Sequence, residues 1–342
     1  MRKIVKISCL VSILFICCGF VSLISFFIGE STGYVGVNTS SQLNTEYLSG
    51  NQYSNNKILV IRIDGTILDQ STSANSIATG YVFGYDIKNA LYQAVKDQSI
   101  KGVIILVSSG GGTVTGSRAI ADGIKYYISQ TKQPVYAYIQ GFAASGAYMA
   151  ISPSTRIFAD YGSLTGSIGV IFGAPFQYYD KVTSQGDSSG SYVVTQNGIE
   201  TFYISAGLSK DLGNPYRKMT QSEIDTLQAD VNEEYQNFVD FVSQNRGIET
   251  DTIKNTIKAL IYGNDQAITY KLIDEQATYN DVVDKMASKA GITDYQVITI
   301  KSPNLLSMLL SSYLKGNNLY SSALNDRVLL MYGAPNLYTN NQ

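Results

Sequence analysis

Histidine is missing from all 342 residues, and so is tryptophan. Without histidine there is no Ser-His-Asp triad, no Cys-His dyad, no HExxH zinc site and no histidine phosphate relay. Acid–base work near pH 7 is left to Asp, Glu, Lys, Tyr or a thiol. The thiols drop out in turn. The three cysteines, Cys9, Cys17 and Cys18, all lie in an N-terminal apolar run, which leaves no disulfide framework and no CxxC metal site. No metal and no cofactor is implied by what remains. Charge is scarce as well, at 15% of residues and a net −2. Beyond Arg2, Lys3 and Lys6 there is no basic cluster, so no nucleic-acid footprint. Six prolines and 44% hydrophobic residues exclude a disordered or low-complexity chain. The length allows one large or two modest domains.

What is present begins at the N-terminus. After the basic flank of residues 1–6, residues 7–29 carry no charge, and Glu30 follows. At about 1.5 Å per residue such a run crosses a ~30 Å hydrocarbon core with some tilt. The basic flank predicts a cytoplasmic N-terminus and a body outside the cell membrane, held by a single pass. A cleaved signal peptide is the competing reading. Its apolar core would be shorter, and Phe26-Phe27-Ile28-Gly29-Glu30-Ser31 makes a poor small-x-small cleavage site. Residues 30–56, rich in Ser, Thr, Asn and Gly, read as a linker.

From residue 57 elements alternate. Lys57 to Ile63, Gly102 to Val107 and Pro134 to Ile139 read as strands, the second apolar without alternation, as in a sheet buried on both faces. Tyr85 to Asp97 and about 115–130 have helical spacing, and Gly141 to Ile151 turns into a short apolar helix. Arg156 to Ala159 and Ser167 to Phe172 read as further strands. A capping box of Thr220 and Glu223 opens a long helix to Arg246. Helices over Thr250–Leu260, Asp265–Tyr270 and Tyr279–Ala290 and a late strand Tyr295–Ile300 complete the body, residues 57–300. The alternation predicts an α/β fold with a mainly parallel sheet. The tail, residues 301–342, carries a helical stripe at Leu305, Met308, Leu309 and Tyr313 and an almost uncharged end. The stripe could pack on a neighbouring protomer, and the end could enter a peptide groove.

Three places could carry chemistry. Ser145 stands among small residues in Gly141-Phe-Ala-Ala-Ser-Gly-Ala-Tyr148, at a strand-to-helix turn. Small neighbours let a substrate backbone approach, and the unpaired N–H groups there suit a developing negative charge. The same pattern also fits a serine that merely caps a helix. Gly110-Gly111-Gly112 follows a buried strand and exposes backbone N–H groups. They would serve as an oxyanion hole, as a phosphate cradle or simply as a tight turn. Thr115-Gly116-Ser117-Arg118 lacks the lysine of a P-loop. Lys210, in the least polar setting of the mid-chain lysines, is a candidate base, or a lysine on a solvated loop. Lysine ordinarily titrates near 10.4, so such a base must be desolvated, and the adjacent Asp211 works against that.

Taken together, five segments resemble the bacterial signal peptide peptidase A family of membrane-anchored serine proteases. They are Asp64-Gly65-Thr66-Ile67, Ser108 to Val114, Ala143 to Tyr148, Leu164 to Val170, and Ser205 to Leu212 with Asn214-Pro-Tyr-Arg217. The resemblance runs from about Lys57 to Ala290. It implies Ser145 as nucleophile, Lys210 as general base, Ser167 as the hydroxyl that orients the amine, and Gly111 and Gly112 as oxyanion donors. It implies a ClpP/crotonase-like body of repeated ββα-type units behind one transmembrane helix, working as a homo-oligomer on the extracytoplasmic face. Its partners would be lipid, through residues 7–29, and peptide substrates, remnant signal peptides above all, with small and apolar side chains preferred. Two departures stand out: Gly110 replaces the usual proline, and Ser184 to Gly198 is longer than usual. Another anchored ClpP-like protease, a crotonase-like acyl-CoA enzyme and an inactive peptide-binding scaffold are the rival readings.

Overall fold

The computed structural model describes residues 43–71, 80–173, 176, 178, 184–186, 192–194, 204–301 and 329–331. The expected anchor and the stripe at 305–314 lie outside them. Among the described residues no helix is long and apolar enough to cross a membrane.

The body is α/β. Its main sheet is built on β1 (Thr45–Gly50), β2 (Lys57–Asp64), β5 (Ile100–Ser109), β7 (Val135–Ala144), β8 (Arg156–Ala159), β13 (Glu275–Gln276) and β14 (Gln296–Ile300). The order is β1-β14-β2-β5-β7-β8-β13, parallel except for the edge pair β1–β14. β2 shows why it forms. Leu59, Ile61 and Ile63 face one hydrophobic core while Ile58 and Val60 face another, so the strand is apolar without a break from Ile58 to Ile61. The first core is roofed by α1 (Gly84–Ala94), α2 (Val114–Thr131), α3 (Gly146–Ile151) and α4 (Gln221–Arg246); the second by α6 (Tyr279–Ala290) through Val282, Val283 and Met286. A short helix, α5 (Asn264–Thr269), precedes β13.

Short strands branch from the upper ends of the long ones. β3 (Thr66–Leu68), β4 (Tyr81–Phe83) and β6 (Gly111–Thr113) form a second sheet, in the order β6-β3-β4. On the free side of β6 lies a strand from the tail, β15 (Leu329–Met331), running antiparallel. β9 (Leu164–Gly166) continues beside the end of β7, and β12 (Ile261–Tyr262) pairs with β9. β10 (Ser184–Gly186) and β11 (Tyr192–Val194) pair as an antiparallel ladder within the long Ser/Gly-rich stretch.

Four expectations change. Part of the expected linker is β1, whose polar sequence TEYLSG suits an exposed edge. The strand expected at Ser167 to Phe172 lies three residues earlier, because Gly166 (φ 133°) and Ser167 (φ 54°) turn the chain out of extended geometry. Thr250–Leu260 is not a regular helix but contains a π-helical turn, Thr252–Ile257. The stretch Gly141–Ile151 stays extended through Ala144 before α3 begins. The capping box holds: the Thr220 side chain accepts from the Glu223 N–H, and the Glu223 carboxylate accepts in return.

Candidate active site

β7 delivers Ser145. After Ala144 the chain turns sharply, with Ser145 at φ 55° and ψ −123°, and α3 starts at the next residue. A non-glycine residue there costs of order 1–3 kcal/mol and persists only where the surroundings impose it. They do: the Ser145 N–H donates to the Gly166 carbonyl at 2.9 Å, and its carbonyl accepts from the Met149 N–H at 3.0 Å. The side chain does not cap α3. Its Oγ is buried and has no hydrogen-bond partner among the described residues. An orphaned buried hydroxyl costs roughly 1–3 kcal/mol. Strain and lost hydrogen bonding therefore fall on the same residue.

Ser167 stands beside it. β9 runs parallel to β7, with Ala144 opposite Gly166, so Ser145 and Ser167 follow the last register pair side by side. Both have positive φ, and Ser167 is 7% exposed, its N–H held by the Leu260 carbonyl at 2.7 Å.

The glycine strand β6 comes off β5. Gly111 has φ 108°, a conformation that favours glycine. A side chain at Gly112 would drive its Cβ into the Ile67 carbonyl oxygen, so glycine is required for β6 to pair with β3. The Gly111 N–H donates to Ser109 Oγ at 3.1 Å, and that hydroxyl donates to the Gly65 carbonyl at 2.6 Å. Sequence reasoning missed this link, and the serine before three glycines was its only signal. Along the other edge of β6 the tail strand pairs Leu330 with Gly112 and Met331 with Gly111. The edge therefore accepts an extended, antiparallel chain.

Lys210 makes no hydrogen bond to Ser145. It sits in a turn between Gly207 (φ 100°) and Gly213 (φ 92°), exposed, and its amine has no partner among the described residues. Ser145 Oγ and Lys210 are thus not hydrogen-bonded to each other within one chain. Next to Lys210 the charges are tightly paired. Arg217 Nε and Nη2 donate to both oxygens of Asp211 at 2.8 and 2.7 Å, and Nη1 and Nη2 donate to Glu223 at 2.9 and 2.7 Å. The hydrogen bonds from Arg217 hold the Asp211 carboxyl down at about 2. Glu223 is lowered as well, by Arg217 first, then by the Thr220 N–H and the Ser209 hydroxyl. No local pattern of residues marks Arg217 for this role.

A strained serine with a free hydroxyl, a second serine at its shoulder and a glycine strand that pairs with an extended chain fit an α/β protein of peptidase type. Comparison with known proteins points to a particular family. Residues 128–293 match the model of Peptidase family S49, which supports a serine peptidase. A Methanocaldococcus jannaschii protein named as a candidate protease is 33% identical over 61% of this chain. An Enterococcus faecium protein named as a candidate signal peptide peptidase SppA is 28% identical over 73%, and Protease 4 of Haemophilus influenzae 26% identical over 76%. The matched stretches span 63%, 68% and 40% of those relatives. Among solved structures, a membrane-bound stomatin-specific protease, 1510-N, is 17% identical with a TM-score of 0.39, covering 68% of this chain and 85% of that one.

Proposed function

We propose that the protein is a membrane-anchored serine endopeptidase with a Ser145–Lys210 dyad. It would be held by residues 7–29 and would cleave remnant signal peptides and other apolar peptides at the extracytoplasmic face. The observation that carries this reading is Ser145 itself, whose backbone is strained and whose buried hydroxyl is left without a partner among the described residues. Residues that carry such costs cluster where function requires them.

In this mechanism a peptide lies antiparallel along β6, in the manner of β15. Ser145 Oγ attacks the carbonyl carbon as Lys210, neutral, takes the hydroxyl proton. The oxyanion is received by the N–H groups of Gly111 and Gly112. The Gly111 N–H must leave Ser109 Oγ to do so, and a charged acceptor outcompetes a neutral hydroxyl. The lysine passes its proton to the leaving amine, and water then releases the acyl group. Ser167 orients the amine. We assign the body to the ClpP/crotonase superfold on its repeating order of long strand, short strand and helix, as in β5, β6 and α2.

The lysine is supplied by a second copy of the chain. In support, Lys210 is exposed in a turn whose apolar neighbours Ile204 and Leu208 are fully exposed, at 102% and 103%, which suits a surface that docks. Ser145→Ala should lower peptide hydrolysis by several orders of magnitude and abolish fluorophosphonate labelling, with the fold intact. Mixing inactive Ser145→Ala with inactive Lys210→Ala should restore activity. Hydrolysis by Ser145→Ala would remove the nucleophile assignment, and failure of the mixture would place the lysine in the same chain.

A further inference from the structure

We propose that Arg217 is a positioning residue for the Lys210 amine: it ties Asp211, the residue after Lys210, to Glu223 in the first turn of α4, and occupies the carboxylate that would otherwise sit against the amine. This rests on the reading of Lys210 as the base.

Three observations carry it. Lys210 lies in an exposed turn whose backbone hydrogen bonds are short-range: the Lys210 N–H to the Gly207 carbonyl at 3.3 Å, Leu212 to Ser209 at 3.0 Å and Asn214 to Asp211 at 3.0 Å. Such a backbone does little to fix the turn in space. Arg217 supplies that hold, with the Ser209 hydroxyl reaching the same Glu223. The planar guanidinium takes two carboxylates at once, four contacts of 2.7 to 2.9 Å, and one of them is on a helix that packs into the core through Phe238, Val239 and Val242. Third, α4 does not need Asp211 to start, since Thr220 and Glu223 close the capping box between themselves. The bridge to Asp211 thus adds a hold on the lysine turn beyond what the helix requires.

The bridge also answers the charge problem at Lys210. A free carboxylate beside an amine favours its protonated form and so opposes its use as a base. Both Asp211 oxygens are turned onto Arg217. The charged groups at the turn are Asp211 and Arg217 within it, Lys218, whose Nζ lies 5.3 Å from the Tyr178 ring, and Glu223 from α4. Among the described residues no other ion pair reaches it.

The test is a set of kcat/KM–pH profiles on the full chain with a peptide substrate. Arg217→Gln should lower kcat about tenfold or more with KM within about twofold, as expected of lost orientation. It should also move the rising limb of the profile to higher pH by roughly half a unit to one unit, as expected from a released carboxylate beside the amine. Arg217→Gln with Asp211→Asn should bring the limb back to its wild-type position while kcat stays low. Arg217→Lys, a point charge without the fork, should fall between. If Arg217→Gln keeps the wild-type limb and its rate falls only as its Tm does, the bridge is merely structural and the inference fails. Lys210→Arg separates the two readings. An active arginine variant ends the dyad itself and this inference with it. An inactive one with an unmoved Arg217→Gln limb ends this inference alone.

Discussion

At Ser145 two local costs meet, a left-handed backbone and an unsatisfied hydroxyl, and neither is visible in a sequence of small residues. The small residues themselves were legible, because only they fit so tight a turn. So were the glycines of β6, whereas Ser167 was marked only by the family resemblance. Arg217 was not, because its partners Asp211 and Glu223 lie six residues to either side, a spacing that belongs to no helix or strand period. Ser167 yields a prediction at this scale. Removing its hydroxyl should cost activity roughly 10- to 100-fold, the range for a group that orients a partner rather than reacts, with Tm unchanged. Ser167→Thr keeps a hydroxyl but puts a β-branched residue at φ 54°, so it should lose stability instead. Paired measurements of kcat and Tm check both, and wild-type activity in Ser167→Ala withdraws its role.

Among elements, strands buried on both faces were the clearest in the sequence. In β5 the run Val103-Ile104-Ile105-Leu106-Val107 is apolar throughout and buried throughout. Elements at edges or in turns were the hardest. β1 is polar because it is exposed, and β9 is short because positive φ at two successive residues ends it. Helix packing in turn depends on contacts no periodicity reports. At the first turn of α1 a Cβ on Gly84 would collide with the Gly116 carbonyl oxygen of α2. Gly84→Ala should therefore destabilise the fold by about 1–3 kcal/mol through overpacking. The measurement is a urea unfolding midpoint at unchanged slope, and an unshifted midpoint would mean that α1 slides freely on α2.

On the scale of the whole molecule, a strand from the tail returns to the candidate site. β15 covers the edge of β6 that a peptide would use, with Met331 opposite Gly111. The uncharged tail suggested such a course, but which strand it meets depends on long-range register that no local pattern encodes. Deleting residues 329–342 should raise the initial rate on a short peptide by freeing that edge. An unchanged rate at an unchanged oligomeric state would show that the tail does not compete with substrate.

The pair β1–β14 bears on force. β1 is the first strand of the body, and its backbone lies antiparallel to β14 from Thr45 opposite Ile300 to Gly50 opposite Gln296. Tension arriving along the chain from the N-terminal side is met first by this pair. Pulled along the strand axis, its hydrogen bonds share the load in shear. The strand that delivers Ser145, β7, stands beyond β14, β2 and β5 in the sheet. A tug strong enough to strip β1 would pass next along the chain to β2, which β5 still separates from the strand that delivers Ser145.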